Sequence, residues 1–482
     1  MRKALGLGLS VMLLGTGCAK NVPLVETAKA GPIAPDGPVE AEPRGAREQG
    51  EIRPRDASWI GASAEGDMVA ELGNETRLGI WVDVPEARPA VRPPLELALV
   101  IDTSGSMAGA KIENARAAAS TLVRNLKEGD IVALDTFSDE ARMVVPPTRL
   151  TAETRQQILK AIAGLGVSGS TNMFAGLTLA EGQIAATPAS HPLRRIVVIS
   201  DGIANVGPSS PETLGAIAER GLRFRSQVTS IGVGTDYDER TLNALSVRSS
   251  GRLYHLGEPS EMASVLRAEL DLIDATLASD AFVEIVPAAG VQLLGADGVR
   301  ADWNADRSLR IPLGALHAGQ HREAIVRVRV QDPEAFRGHP HALASVRLRF
   351  RDAQDSDLER VQEVVARTQL TDDATVAASH VNSRAKAIIA IQEVATIQMS
   401  AAQKINDGQF GAADRDLARA EAAIAAQAAV VTAPTERKRL ADASGKVAAA
   451  RAATQAMPSK PKAAQRADAL EMNASGMKSM GF

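Results

Sequence analysis

The chain has 482 residues, a formal net charge of −4 and only 3% aromatic residues. That length exceeds one ordinary hydrophobic core and implies two or three domains plus tails. The slightly acidic balance excludes a typical nucleic-acid protein, which carries a basic excess, and the scarcity of aromatics leaves few platforms for stacking bases.

At the start, Arg2 and Lys3 precede the apolar run ALGLGLSVMLLG, which ends in LGTGC, the order of basic, apolar and small residues found in export signals. The run is too short to span a bilayer comfortably. LGTGC resembles a bacterial lipobox, which implies residues 1–18 as a lipoprotein leader and lipid attachment at Cys18. Cys18 is the single cysteine, so its lipidation would leave no thiol and exclude disulfides and cysteine metal sites. Ala19 and Lys20 follow it without an aspartate, and the resemblance to diderm lipoproteins implies anchoring in the outer membrane. Residues 19–58, rich in Pro, Gly, Glu and Arg, bury too little apolar surface to fold. They read as a tether with an average reach of roughly 30 to 40 Å.

Residues 59–94 carry short strands, chiefly RLGIWVDV, broken by EARPAVRPP. From Leu95 the rhythm changes. The strand LELALVID leads to a helix near 111–127, where Ile112, Ala115, Ala119, Leu122 and Leu126 recur at helical spacing. Then come the strand DIVALDTF, the edge-like RMVVPP, a helix near 152–163, and the loop GVSGSTNM opening another helix. The strand RRIVVIS, a helix at 211–221, the strand QVTSIGVG, a helix from 239, the strand GRLYHL and a helix to Asp274 complete the series. This alternation over 95–275 predicts an α/β fold with a doubly wound, mostly parallel sheet. Ligands of such sheets bind beyond the carboxyl ends of the strands.

Over 280–370 the period-two stretches AFVEIVP, VQLLGA, LRIPLG, EAIVRVRVQ, ASVRLRFRD and RVQEVVARTQL predict an antiparallel β-sandwich. The strands before Leu95 are too few to stand alone and are expected to join it, making the α/β unit an insertion. Residues 371–482, rich in Ala, Gln and Arg, read as helical. INDGQFGAADRDLARAEAAIAAQ has the form of a helix pair turning at Gly408, similar to a tetratricopeptide unit, although one unit is no repeat array. The final 25 residues read as a loose helix or disorder.

The stretch LVIDTSGSM ends an apolar strand in Asp102, Ser104 and Ser106, one carboxylate and two hydroxyls on alternate positions. GSTNM places Thr171 at the start of a helix, and VVISDG places Asp201 at the end of a central strand, both at the same predicted edge. Turn and helix-cap roles are the simpler alternative for such residues. Together the five match the metal-ion-dependent adhesion site of the von Willebrand factor type A family, D-x-S-x-S with a distant Thr and a distant Asp. The resemblance extends over roughly residues 95–275, through IGVGTDYDERTLNALS and SSGRLYHL. It implies direct ion binding by Ser104 and Ser106, direct or water-mediated binding by Thr171, and action of Asp102 and Asp201 mainly through bound water.

The donor chemistry agrees with that design. A hard divalent cation prefers oxygen, and Mg2+ keeps several waters; Mn2+ or Ca2+ are the other ions considered. Neutral hydroxyls leave much of the charge uncancelled, so an open position would attract an exposed Asp or Glu of a partner protein. Aspartates behind water orient the shell.

Other signals are weaker. Asp236 and Asp238 in GTDYDER read as caps of the following helix, and His339 and His341 as a surface turn, since no further ligands for zinc accompany them. In IVRVRVQ and VRLRFRD, valines and other apolar residues alternate with Arg327 and Arg329, and with Arg347, Arg349 and Arg351. If those strands pair, the five arginines form one cationic face for an anionic polymer or acidic domain; local acids balancing a solvated face is the alternative. No G-x-S-x-G, P-loop or H-E-x-x-H motif occurs, and a non-enzymatic role is expected. The functional expectation is an envelope-anchored protein that binds a partner through its metal, with no nucleic acid involved. The competing expectation is an assembly scaffold acting through the helical region, with the metal only stabilising the fold.

Overall fold

The computed structural model describes residues 59–72, 75–89, 91–234 and 237–479. Cys18, the tether over 19–58 and Asp236 lie outside the described residues.

Strands β1 (Ile60–Ala64), β2 (Met68–Val69) and β3 (Thr76–Asp83) come first. The α/β unit opens with β4 (Leu95–Asp102), α1 (Ala110–Asn125), β5 (Ile131–Phe137), β6 (Ala141–Arg149), α2 (Ala152–Ala163) and α3 (Met173–Ala185). It closes with β7 (Leu193–Ser200), α4 (Pro211–Gly221), β8 (Ser226–Val233), α5 (Glu239–Arg248), β9 (Arg252–Leu256) and α6 (Met262–Asp274). Seven strands follow: β10 (Thr276–Pro287), β11 (Val291–Asp297), β12 (Asp302–Trp303), β13 (Leu309–His317), β14 (His321–Val330), β15 (His341–Asp352) and β16 (Leu358–Leu370). The chain finishes in α7 (Ala374–Ser379), α8 (Ser383–Asn406), α9 (Phe410–Val430), α10 (Pro434–Ala456) and α11 (Lys462–Ser479).

The central sheet has the order β6-β5-β4-β7-β8-β9 and is parallel except for the edge strand β6. Every residue of β4 is buried because helices cover both faces. Leu97, Leu99 and Ile101 pack with α1, α2 and α6, while Ala98 and Val100 pack with α3, α4 and α5. The chain leaves β4 toward β5 on one side and returns on its other side as β7, so β4 lies at the switch point of the sheet, where the strand ends diverge to leave a crevice.

Two antiparallel sheets flank this unit in sequence. One has the order β1-β3-β14-β11; the other has the order β12-β13-β10-β15-β16-β2, with only the β16–β2 pair parallel. Their inner faces share one core that includes Leu78 and Ile80 of β3, Val326 and Val328 of β14, and Val346 and Leu348 of β15. Strands from before and after the α/β unit therefore lie side by side, with Ile80 opposite Ala324. Buried Arg92, in the segment entering the α/β unit, bonds Asp130 at 2.5 Å and Asp274 at 2.6 Å, clamping the entrance of the unit to its exit. Strand β10 begins at Thr276, earlier than the alternation suggests, because register shifts and a left-handed Asp280 (φ 49°) interrupt the period there.

The expected single arginine face does not form. Strands β14 and β15 alternate as read, but they belong to different sheets, so Arg327 and Arg329 lie on one outer face and Arg347, Arg349 and Arg351 on the opposite one. Each finds local acids: Arg327 bonds Asp297 at 2.9 Å, Arg329 bonds Glu75 at 2.8 Å, and Arg347 lies 3.2 Å from Glu363. Arg349 sits between Glu284 and Glu359, each at 3.5 Å, and Arg351 lies 3.4 Å from Asp357.

The C-terminal segment is a docked helix rather than a loose tail. Helices α8 and α9 turn at Gly408, whose φ of 75° suits glycine. Ile388 and Ile389 of α8 cover Trp81 and Ile325 on the outer face of the four-stranded sheet. A Cβ on Gly79 would stand 3.0 Å from Ala385 Cα, so glycine permits that approach. Leu470 of α11 is buried in the α/β core beside Leu242 and Leu245. Among the described residues no helix is long and apolar enough to cross a membrane.

Candidate metal centre

The five singled-out oxygen residues come from three segments that meet at the carboxyl edge of the central sheet. Asp102 is the last residue of β4 and is fully buried. Its Oδ1 accepts from Ser104 N–H at 2.8 Å and its Oδ2 from the Ser200 hydroxyl at 2.7 Å. Burial pushes the Asp102 carboxyl above its ordinary value; the Ser200 and Ser104 hydrogen bonds oppose that shift, and the charge of Asp201 reinforces it. Ser104 Oγ lies 3.0 Å from Ser106 Oγ, and the Ser106 hydroxyl donates to Asp201 Oδ1 at 2.8 Å across 95 residues of sequence.

Thr171 is positioned from two sides. Gly169 adopts φ 77° and its carbonyl accepts from Gly105 N–H at 3.1 Å, tying the second segment to the first. A Cβ at Gly169 would strike the Asp139 carboxylate, which itself accepts from Ser170 N–H at 3.0 Å. Asn172 caps α3 through Ala175 N–H, and Asn205 accepts from Thr171 N–H at 2.8 Å, joining the third segment. The three segments face a common point: an atom at the Cβ position of Gly202 would lie 3.4 Å from Thr171 Oγ1 and 3.7 Å from Ser106 Oγ. Glycine at 202 thus keeps open the cradle that the hydroxyls surround.

The donor set fits a hard divalent cation. Among the described residues no group of three His, Cys, Asp or Glu side chains could hold a metal ion, so a centre here depends on hydroxyl oxygens backed by two buried carboxylates. Ser104, Thr171, Asp102 and Asp201 are buried while Ser106 is exposed, which leaves one open side. The sequence alone missed four supporting residues: Ser200, Asn205, Asp139 and Lys111. Ser200 and Asn205 flank Asp201 closely enough to be suspected. Lys111 carries no such signal, yet its ammonium bonds Asp201 Oδ2 from the first turn of α1.

The weaker signals separate from this edge. Asp238 caps α5, accepting from Thr241 N–H at 3.2 Å and Thr241 Oγ1–H at 2.6 Å. His341 begins β15 and rests against the Phe336 ring, with centroids 5.1 Å apart.

Comparison with known proteins locates the resemblance. Residues 97–203 match the von Willebrand factor type A domain family. Over 216 residues, 44% of this chain, it is 28% identical to the uncharacterized protein YfbK of Escherichia coli (strain K12), spanning 37% of that protein's length. Over 183 residues, 37% of this chain, it is 25% identical to human inter-alpha-trypsin inhibitor heavy chain H3, spanning 20% of it. The fold resembles that of a von Willebrand factor type A protein from Catenulispora acidiphila, with a TM-score of 0.65 at 18% identity, covering 77% of this chain and 87% of the other. It also resembles the ArnB paralog VWA2 from Sulfolobus acidocaldarius, with a TM-score of 0.57 at 14% identity, covering 87% and 98%. The sheet order and these likenesses agree: residues 97–203 match the von Willebrand factor type A domain family, and the α/β unit that contains them has a von Willebrand factor type A-like fold.

Proposed function

We propose that this protein is exported and lipid-anchored through Cys18 in the bacterial outer membrane, where its von Willebrand factor type A domain captures a partner protein through a divalent cation. The ion, Mg2+ with Mn2+ or Ca2+ as substitutes, would supply an electrophilic centre for an exposed Asp or Glu of that partner. The convergence of Ser104, Ser106 and Thr171 hydroxyls above two buried carboxylates carries the reading. Ser104, Ser106 and Thr171 hold the ion as neutral donors. Asp102, fixed by Ser104 N–H and Ser200, and Asp201, fixed by Ser106, hold the hydroxyls and shell water in orientation. The hydroxyls contact one another and Asp201 rather than an imidazole, in keeping with binding rather than nucleophilic catalysis.

The test is Mn2+ binding followed by electron paramagnetic resonance. One ion should bind per chain, and Ser104→Ala combined with Ser106→Ala should weaken it about 100-fold; an absence of saturable binding to the unaltered chain overturns the metal reading. Palmitate labelling that survives Cys18→Ala overturns the anchor. The scaffold reading is weaker because α8 and α11 already bury apolar residues against the sandwich and the α/β core. Partner capture that persists without divalent ion would favour it.

A further inference from the structure

A second cleft, of about 590 Å3, opens where the α/β unit meets the sandwich and is lined from α4, the turn after it, and strands β10 and β13. Clefts between packed units are common ligand sites. The lining contains five arginines, Arg220, Arg223, Arg225, Arg300 and Arg310, against the carboxylates of Glu219, Asp280 and Asp302, a net positive excess. Three of the guanidiniums are committed. Arg220 pairs with Glu181 at 2.7 Å, Arg225 with Asp357 at 2.8 Å, and Arg300 with Asp302 at 2.8 Å and Glu219 at 3.1 Å.

No carboxylate forms an ion pair with Arg223 or Arg310 among the described residues, although the charge of Arg310 acts on Asp280 across the cleft. They come from opposite walls, Arg223 from the α/β unit and Arg310 from the sandwich. Arg310 is nevertheless held in place, its guanidinium carbon 3.8 Å from the centroid of the Phe282 ring. Stacking in this manner uses the face of the guanidinium and leaves its in-plane donors for an oxyanion.

The walls are also fixed. Two lining residues, Arg225 and Asp280, and two residues bonded to the lining, Ser250 and Asp357, adopt φ values of 61°, 49°, 56° and 61°, a left-handed region that non-glycine residues hold where their surroundings over-determine it. The surroundings do so here: Arg225 bonds Asp357, the Ser279 hydroxyl donates to Asp357 Oδ1 at 3.4 Å, and the Ser250 hydroxyl donates to the Pro312 carbonyl at 3.0 Å. The cleft is thus preorganised and carries a net positive charge, with two guanidiniums outside any close ion pair.

We propose that this cleft binds a ligand bearing two or more oxyanion groups, phosphate or carboxylate, bridged between Arg223 and Arg310. Such a ligand would span the two units, and each guanidinium fork would hold one oxyanion through paired N–H donors. This inference is independent of the metal centre.

Isothermal titration calorimetry of the full chain in divalent-free buffer tests it, with sodium tripolyphosphate, citrate and inorganic phosphate as probes. Tripolyphosphate or citrate should bind saturably at one per chain, and inorganic phosphate, with one oxyanion, about tenfold more weakly. Binding of tripolyphosphate alone assigns a phosphate ligand, and binding of citrate alone a carboxylate one. Arg223→Glu and Arg310→Glu should each weaken the bound probe about tenfold or more, while Arg329→Glu, the same charge change on a distant exposed arginine, should alter it less than about twofold. Arg223 is exposed, so its replacement remains a valid test if Arg310→Glu disturbs the fold. No saturable binding of either polyanion, or an equal loss from Arg329→Glu, overturns the proposal.

Discussion

The carboxyl edge of the parallel sheet and the outer faces of the sandwich both announce themselves in the sequence by polar residues on alternate positions, yet they end differently. At the sheet edge, Asp102, Ser104 and Ser106 meet Thr171 and Asp201 from distant segments, the Ser104 and Ser106 hydroxyls bonding each other and Ser106 bonding Asp201, while Thr171 Oγ1 faces the same point. On the sandwich, Arg327 and Arg329 are separated from Arg347, Arg349 and Arg351 by the full thickness of the core, and each pairs with nearby acids. Where strands diverge at a switch point, loops converge and polar atoms are left for an outside ligand. Along a sheet face, neighbouring strands supply counter-charges and the polar row neutralises itself.

Substitutions can break that contrast or sharpen it. The largest effect is expected from a third carboxyl on the same sheet, Asp135 of β5, which is fully buried, receives one hydrogen bond from Gln183 at 2.9 Å and leaves its Oδ2 without a partner among the described residues. Burial pushes its carboxyl up to about 6 from an ordinary 3.8. The folded state therefore holds this proton more tightly than the unfolded chain. Its contribution is fully present below pH 3.8 and is lost as pH rises through about 6, a change of about 3 kcal/mol. Asp135→Asn should remove that pH dependence from urea-unfolding free energies measured between pH 4 and 7.5.

Next, Asp201→Ala should weaken Mn2+ binding about 10- to 100-fold, as expected for a group that orients a metal shell, while leaving the far-ultraviolet circular dichroism spectrum unchanged. A smaller effect of opposite sign is expected from Lys111→Met. The Lys111 ammonium neutralises Asp201 Oδ2, and removing it should free that carboxylate and tighten Mn2+ binding by roughly threefold in calorimetry, the scale of a partly exposed ion pair. Smallest of all, Arg349→Ala should cost less than about 1 kcal/mol by chemical denaturation, because its two carboxylates lie at 3.5 Å on a solvent-facing surface. A loss of several kcal/mol there would mean that the sandwich face is a cooperative network rather than a self-screened surface.

Much of the fold was legible because local patterns had one physical solution. The uninterrupted apolar run of β4 requires cover on both faces, and helices α1 and α3 supply it on opposite sides. The hydroxyl and carboxylate positions of the candidate centre were legible for a related reason: Asp102, Ser104 and Ser106 lie at the end of β4 and in the turn after it, Asp201 follows β7, and Thr171 precedes α3, which leads back into β7, so the parallel topology sends all of them to one edge. The first residues of β10 were hidden because register shifts suppress their alternation. The docking of α11 was hidden as well, since its single buried leucine in the α/β core leaves no strong apolar stripe to read.

By itself the sequence determined which side chains share a face, where strands stop, and which oxygens stand at the stops, since backbone geometry dictates these within a few residues. Tertiary structure decided which sheet each arginine strand joined, that Lys111 reaches Asp201, and that Arg223 and Arg310 face one cleft. Those outcomes depend on pairings between segments far apart in the chain, where the free energy is spread over whole strands and helices and no short stretch records the choice.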